Sequence, residues 1–255
     1  MVSALPPLYA HRLGHDYGID SSIAALRRTL DGPVDGLETD VCLTADGDLV
    51  LLHDPLLSLG TTLDGWAHER TAAELGASRL LDPNRRASDQ CPMLLSELLE
   101  AAPARLTLQL EVKAHADPEL ARMTAAAICE RCWRDRERIE VIGFHAAACA
   151  EAAARGFRAR LLIWADYSPE VLAAWAVRHQ VRGVSVEHFL LNERIVRTLR
   201  LAGVSVSTGT VNSVELLERV LCFRPDSVCT DRPHELREEA VARGLSVSYE
   251  LPTAA

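Results

Sequence analysis

The sequence predicts an α/β fold, a (β/α)8 TIM barrel with a loop-rich insertion after its second strand. Three observations carry that expectation. Short β-like runs alternate with helical runs along nearly the whole chain. Eight such units fit within 255 residues, the usual size of one barrel. No Gly-rich phosphate-binding turn follows any strand, which disfavours a doubly wound sheet, the other arrangement that alternating units allow.

In chain order, strands are expected near Leu8–Arg12, Gly36–Leu43, Leu106–Lys113, Ile139–Gly143, Ala159–Trp164, Gly183–Glu187, Val204–Ser207 and Ser227–Thr230. Helical patterns lie between them, at Ser21–Leu30, Leu94–Ala102, Pro118–Arg134, Ala146–Arg155, Pro169–His179, Asn192–Leu201, Ser213–Leu221 and His234–Arg243. Asp117-Pro118 and Ser168-Pro169 each set a capping side chain before a proline at the first helical position. Gly156 and Gly203 fall where a left-handed residue closes a helix. The even spacing breaks once. Residues 54–93 contain Gly60, Gly65, Gly76, Asp82-Pro83 and Cys91-Pro92, and read as an insertion. An extension after a barrel strand lies at the catalytic face. No composition shift marks a boundary, so residues 1–255 are expected to form one domain.

Hydrophobic residues make up 48% and charged residues 25% of the chain, ordinary for a globular protein. A formal net charge of −9 argues against broad binding to nucleic acid or anionic membranes, yet permits a local positive pocket for a phosphate. No apolar stretch approaches the roughly 20 residues of a membrane span. Met1 to Ala10 lacks a basic segment followed by a long apolar one, so no secretory leader is expected. The seven cysteines are an odd set. Cys129 and Cys132 form a CxxC, but within a helical run with no second CxxC or ligand histidine nearby. A reduced, cytoplasmic chain is expected.

Candidate chemical groups gather at strand ends. His11 and Arg12 close the first strand, Glu38 and Asp40 lie on the second, His53 follows on a return strand, and Glu111 and Lys113 end the third. Side chains alternate along a strand, so Glu38 and Asp40 point the same way, as do Glu111 and Lys113. Buried charges are costly unless paired or bound to an ion. Three carboxylates there suit a hard cation, Mg²⁺ or Ca²⁺, with water or substrate completing the shell. Arg12 and Lys113 suit a phosphate, although each alone equally suits a salt bridge to a neighbouring acid. His11 and His53 suit an acid and base pair, because imidazole titrates near neutral pH.

The runs His11-Arg12-Leu13-Gly14, Asp20 to Leu26, Gly36-Leu37-Glu38-Thr39-Asp40-Val41, and Thr44-Ala45-Asp46-Gly47 to His53-Asp54 resemble the glycerophosphodiester phosphodiesterases. Further matches follow in order at Thr61-Thr62, Cys91-Pro92-Met93-Leu94, Glu111-Val112-Lys113, Thr210-Val211-Asn212 and Thr230-Asp231-Arg232-Pro233. The ordered set runs from Tyr9 to Pro233. The resemblance implies a TIM barrel and metal-dependent hydrolysis of a small phosphodiester, most simply a glycerophosphodiester to sn-glycerol 3-phosphate and an alcohol. It implies Glu38, Asp40 and Glu111 as metal ligands, His11 and His53 as general acid and base, and Arg12 and Lys113 as phosphate contacts. The attacker, water or a neighbouring substrate hydroxyl, stays open.

Four departures from the family pattern stand out. Leu13 intervenes before Gly14, Asp20 replaces a glutamate, Gly60 replaces an arginine, and Gly209 replaces a tryptophan. They are expected to alter substrate preference rather than remove activity. A related lipid-cleaving phosphodiesterase, acting on lysophospholipid or sphingolipid, is the second reading, with Leu56-Leu57-Ser58-Leu59 as a modest apolar surface. A third is an inactive barrel that binds phosphorylated ligands. An amidohydrolase is disfavoured, because its first strand should carry His-x-His and His11 and His15 are four apart.

Overall fold

The computed structural model describes residues 5–245. Part of Met1 to Ala10, where no secretory leader is expected, therefore lies outside the described residues. Nine strands form one sheet: β1 Leu8–Ala10, β2 Gly36–Leu43, β3 Leu49–Leu51, β4 Thr107–Val112, β5 Ile139–Gly143, β6 Arg158–Ile163, β7 Gly183–Glu187, β8 Ser205–Gly209 and β9 Val228–Thr230. Their order is β1-β9-β8-β7-β6-β5-β4-β2-β3, and β1 also pairs with β2. That last pairing closes eight parallel strands into the expected barrel. β3 stands apart, antiparallel to the upper end of β2 through Val41↔Leu51 and Leu43↔Leu49.

The helices are α1 Ile23–Leu30, α2 Ala72–Gly76, α3 Leu95–Ala101, α4 Pro118–Arg131, α5 Ala146–Ala154, α6 Pro169–His179, α7 Glu193–Leu201, α8 Val214–Leu221 and α9 Pro233–Ala242. Local chemistry explains their ends. Ser22, Asp117, Ser168, Asn192 and Ser213 each cap a helix by accepting a backbone N–H with the side chain. Gly156 and Gly203 adopt φ of 82° and 74° after α5 and α7, as the sequence predicts. The apolar face of each strand packs against these helices, with Leu37, Leu108, Val141, Val184 and Val206 all essentially inaccessible. No helix among the described residues is long and apolar enough to cross a membrane.

Two elements depart from the sequence reading. The first strand stops at Ala10, two residues early, and the chain turns through His11–Leu13. Arg12, Leu13 and Gly14 take φ of 50°, 61° and 101°, left-handed values that cost non-glycine residues energy. Leu13 offsets this by burying its whole side chain in the core. Its carbonyl accepts from Thr29 Oγ1 at 2.7 Å. A Cβ on Gly14 would sit 2.1 Å from that same hydroxyl, so only glycine fits the turn. The extra residue before Gly14 is therefore accommodated inward.

The insertion is more ordered than its composition suggests. It holds α2, two single-turn 3₁₀ segments at Leu57–Leu59 and Ala67–Glu69, and a second apolar cluster. Cys42, Val50 and Leu52 from the β2–β3 hairpin meet Leu57, Ala67, Leu75 and Leu80 there. Thr61 is buried and donates to the carbonyl of Leu57 at 2.9 Å, so it holds the insertion together.

Candidate active site

Register assembles the acids. β2 and β4 pair with Asp40 directly opposite Glu111, and Glu38 opposite Gln109. Period-two alternation then turns Glu38, Asp40 and Glu111 into the lumen together. One carboxylate oxygen from each lies within 4.8 Å of the other two, and all three residues are at least nine-tenths buried. The antiparallel return of β3 supplies the next group. The Leu52 N–H donates to the carbonyl of Asp40 at 3.2 Å, which brings His53 beside that carboxylate. His53 sits two residues beyond the return strand on which it was expected.

Positive groups interleave with the acids. Lys113 Nζ lies 3.0 Å from Asp40 Oδ1 and 2.5 Å from Glu111 Oε1. The left-handed turn presents the Arg12 N–H to Glu38 Oε2 at 2.9 Å. The Arg12 guanidinium donates to Asp20 Oδ2 at 2.7 Å and lies 3.8 Å from Asp40. Asp20, one methylene shorter than the family's glutamate, thus still reaches Arg12. Both cations make the salt bridges that a bland reading allowed, and both still line the cavity.

All seven predicted site residues come together. Six of them line a cavity of about 260 Å³ at the carboxyl ends of the strands: His11, Arg12, Glu38, His53, Glu111 and Lys113. Asp40 lies beneath, against Lys113 and His53. Three further groups join them. Asp231 Oδ1 accepts from His11 Nδ1 at 2.6 Å. Asn212 donates to the other Asp231 oxygen and accepts the Asp231 N–H at 2.9 Å. Glu187 lines the cavity without an ion pair among the described residues. Asp231 and Asn212 belong to matched motifs, but the contact of Asp231 with His11 follows only from barrel closure. The pairing of Ala10 with Thr230 sets the next residues, His11 and Asp231, side by side.

Proton affinities follow from burial and these neighbours. Burial and the Asp40 charge push the Glu38 carboxyl up to about 8. Burial raises Glu111 as well, against the pull of Lys113. Burial would raise Asp40 too, but Lys113, His53 and Arg12 hold it below the usual range. Three adjacent acids with two of them driven toward the neutral form constitute a site short of positive charge. Glu38 Oε1 and Asp40 Oδ2 are buried without a hydrogen-bond partner. The donor set is all oxygen, so it fits a hard divalent cation. Burial works against protonation of His11, yet Asp231 and Glu38 raise its affinity above the ordinary value. Burial leaves His53 below it.

Trp164 and Tyr167, which follow β6, are exposed. A Cβ on Gly209 would sit 2.8 Å from Cys229 Cβ, so Cys229 occupies space beside the position where the family carries tryptophan. Cys129 and Cys132 are buried free thiols, with burial pushing both up to about 12, and the described residues contain no other metal-type cluster.

Acids, imidazoles and cations gathered at the carboxyl ends of parallel barrel strands define a barrel enzyme. Comparison with known proteins makes this specific. The model of the glycerophosphoryl diester phosphodiesterase family matches residues 11–235. The chain belongs to that family, and it is an enzyme. A glycerophosphodiester phosphodiesterase of Caldanaerobacter subterraneus is 25% identical over 236 residues, covering 89% of this chain and 94% of its own. Among solved structures, an Oleispira antarctica phosphodiesterase in complex with the product sn-glycerol-3-phosphate has a TM-score of 0.81 at 23% identity. That match covers 92% of this chain and 96% of the other. A Parabacteroides distasonis glycerophosphodiester phosphodiesterase has a TM-score of 0.77 at 24% identity, covering 95% and 99%. At these identities the structural matches establish the shared fold.

Proposed function

We propose that this chain, as a single cytoplasmic domain, hydrolyses glycerophosphodiesters to sn-glycerol 3-phosphate and an alcohol, with a divalent cation as cofactor. The observation that carries the cation is the trio of buried carboxylates within 4.8 Å, with oxygens left unpartnered. Glu38, Asp40 and Glu111 would hold Mg²⁺ or Ca²⁺. When bound, such an ion polarises a phosphoryl oxygen and stabilises charge that develops there.

The remaining steps belong to the protein. Arg12 and Lys113 face the cavity as donors for the phosphate, already held in place by Asp20, Asp40 and Glu111. His11 and His53 divide the proton transfers: one takes a proton from the attacking oxygen while the other gives one to the leaving oxygen. Asp231 keeps the His11 Nδ1 proton in place, which leaves Nε2 facing the cavity. The Oleispira relative's bound product, sn-glycerol-3-phosphate, supports the substrate class. An inactive binding barrel is disfavoured, because both histidines and all three acids lie together at one cavity.

The test is hydrolysis of glycerophosphocholine, glycerophosphoethanolamine and lysophospholipid by chelator-stripped protein, before and after Mg²⁺ or Ca²⁺ is added. Turnover is expected to vanish on stripping and to return with metal. Full turnover in metal-free protein would refute the cation role.

A further inference from the structure

A second cavity of about 280 Å³ adjoins the first and shares His53 with it. It lies between the loop that follows the left-handed turn and the insertion. Its walls include Ile19, Leu52, Leu59, Leu80 and Leu81. Leu52 and Leu80 are buried and anchored in the insertion's own apolar cluster, and Ile19 packs against that cluster. These walls are therefore held rigidly, while Leu59 is 48% exposed at the edge. The charged lining is Asp20, Asp54 and Asp82, with His15 and His53 as the only basic groups. His15 is already bonded to Asp20, and Asp82 accepts the Arg86 N–H at 2.8 Å. An anionic group has no free lysine or arginine to meet there.

We propose that this cleft is a specificity subsite that takes an apolar substituent of the diester. It rests on the hydrolysis proposed above. A phosphate seated against Arg12 and Lys113 has its ester oxygens beside His11 and His53, and a substituent leaving on the His53 side enters the leucine-lined space. Apolar area removed from water there stabilises the bound diester, and an acidic rim repels a second phosphate or a carboxylate. The insertion thereby selects among alcohols without touching the reacting atoms.

The experiment uses glycerophosphodiesters of ethanol, butanol, hexanol and octanol at saturating Mg²⁺, each below its micelle concentration. kcat/KM should rise about fourfold per methylene until the cleft is filled. Leu59→Asp should flatten that rise and leave turnover of the ethyl ester unchanged, whereas Leu59→Met should preserve the rise. A flat series in the wild-type protein, with the ethyl ester still cleaved, overturns the subsite and leaves the hydrolysis intact. A rise that survives Leu59→Asp undiminished also overturns it. Failure to cleave any ester overturns the underlying function instead.

Discussion

Asp231→Asn isolates what one carboxylate does for His11. The wild-type group is held at both oxygens: Oδ1 accepts from His11 Nδ1 at 2.6 Å, and Oδ2 accepts from Asn212. Asn212 is itself fixed, because its carbonyl oxygen accepts the Asp231 N–H at 2.9 Å and the Thr230 hydroxyl at 3.1 Å. An amide at position 231 has one acceptor where the carboxylate had two. If its oxygen faces His11, its NH₂ opposes the Asn212 NH₂. If it turns round, its NH₂ faces Nδ1 and moves the imidazole proton to Nε2. The first orientation loses one bond and the second keeps both but imposes the opposite tautomer on the ring, and in either the negative charge behind the ring is lost. A hydrogen bond to a charged group contributes about 1.5–3 kcal/mol, so kcat should fall roughly tenfold to 150-fold. KM should move little, because Asp231 touches neither the phosphate cations nor the acid trio. The assay is steady-state hydrolysis of glycerophosphocholine at saturating Mg²⁺ across pH. Asp231 raises the proton affinity of His11, so the limb of the kcat profile set by that imidazole should shift to lower pH. A kcat within about twofold of wild type, with an unmoved profile, would show that the His11–Asp231 contact plays no part in turnover.

Two other substitutions test the charge balance. Lys113→Met leaves Asp40 and Glu111 without their shared cation; breaking a buried pair costs on the order of 3 kcal/mol, roughly a 10 °C lower Tm. Added Mg²⁺ should recover more of that Tm than it adds to wild type, and a Tm within about 2 °C of wild type in metal-free buffer would refute the pairing. Arg160→Met tests the lumen below the site, where Arg160 lies 3.0 Å from Glu140 and Gln109 donates to the same acid at 2.7 Å. Burial alone would raise Glu140, but Arg160 and Gln109 hold it below its ordinary value. The wild-type group therefore adds stability above its unfolded pKa, lost as pH falls through the folded one. Without Arg160 the buried acid should favour its proton, and that contribution should reverse sign, with stability falling as pH rises above about 4.5. Urea melts between pH 4 and 7 read this directly, and parallel curves for the two proteins would refute it.

Alternation and punctuation in the sequence sufficed for the barrel, because strand and helix periods are local properties of the chain. The same local rule turned Glu38 and Asp40 to one side and gave Glu111 and Lys113 a common face. Capping residues such as Asp117 and Ser168 located helix starts for the same reason. The early end of the first strand was not legible. Leu13 gains enough by burial to hold a left-handed turn, and that gain exists only once the core has formed. The insertion likewise looked like loop, because its apolar residues are spaced to meet the β2–β3 hairpin rather than one another.

What the sequence alone determined is therefore the fold class and the identities of the seven polar groups that the family pattern marks. Tertiary structure decided their company. Register set Asp40 against Glu111, closure of the first strand on the last set His11 against Asp231, and the β3 return carried His53 over Asp40. The first two contacts join residues far apart in the chain, and pairing between distant strands is fixed by the packing of the whole barrel rather than by any local preference; the third follows from the antiparallel β2–β3 hairpin.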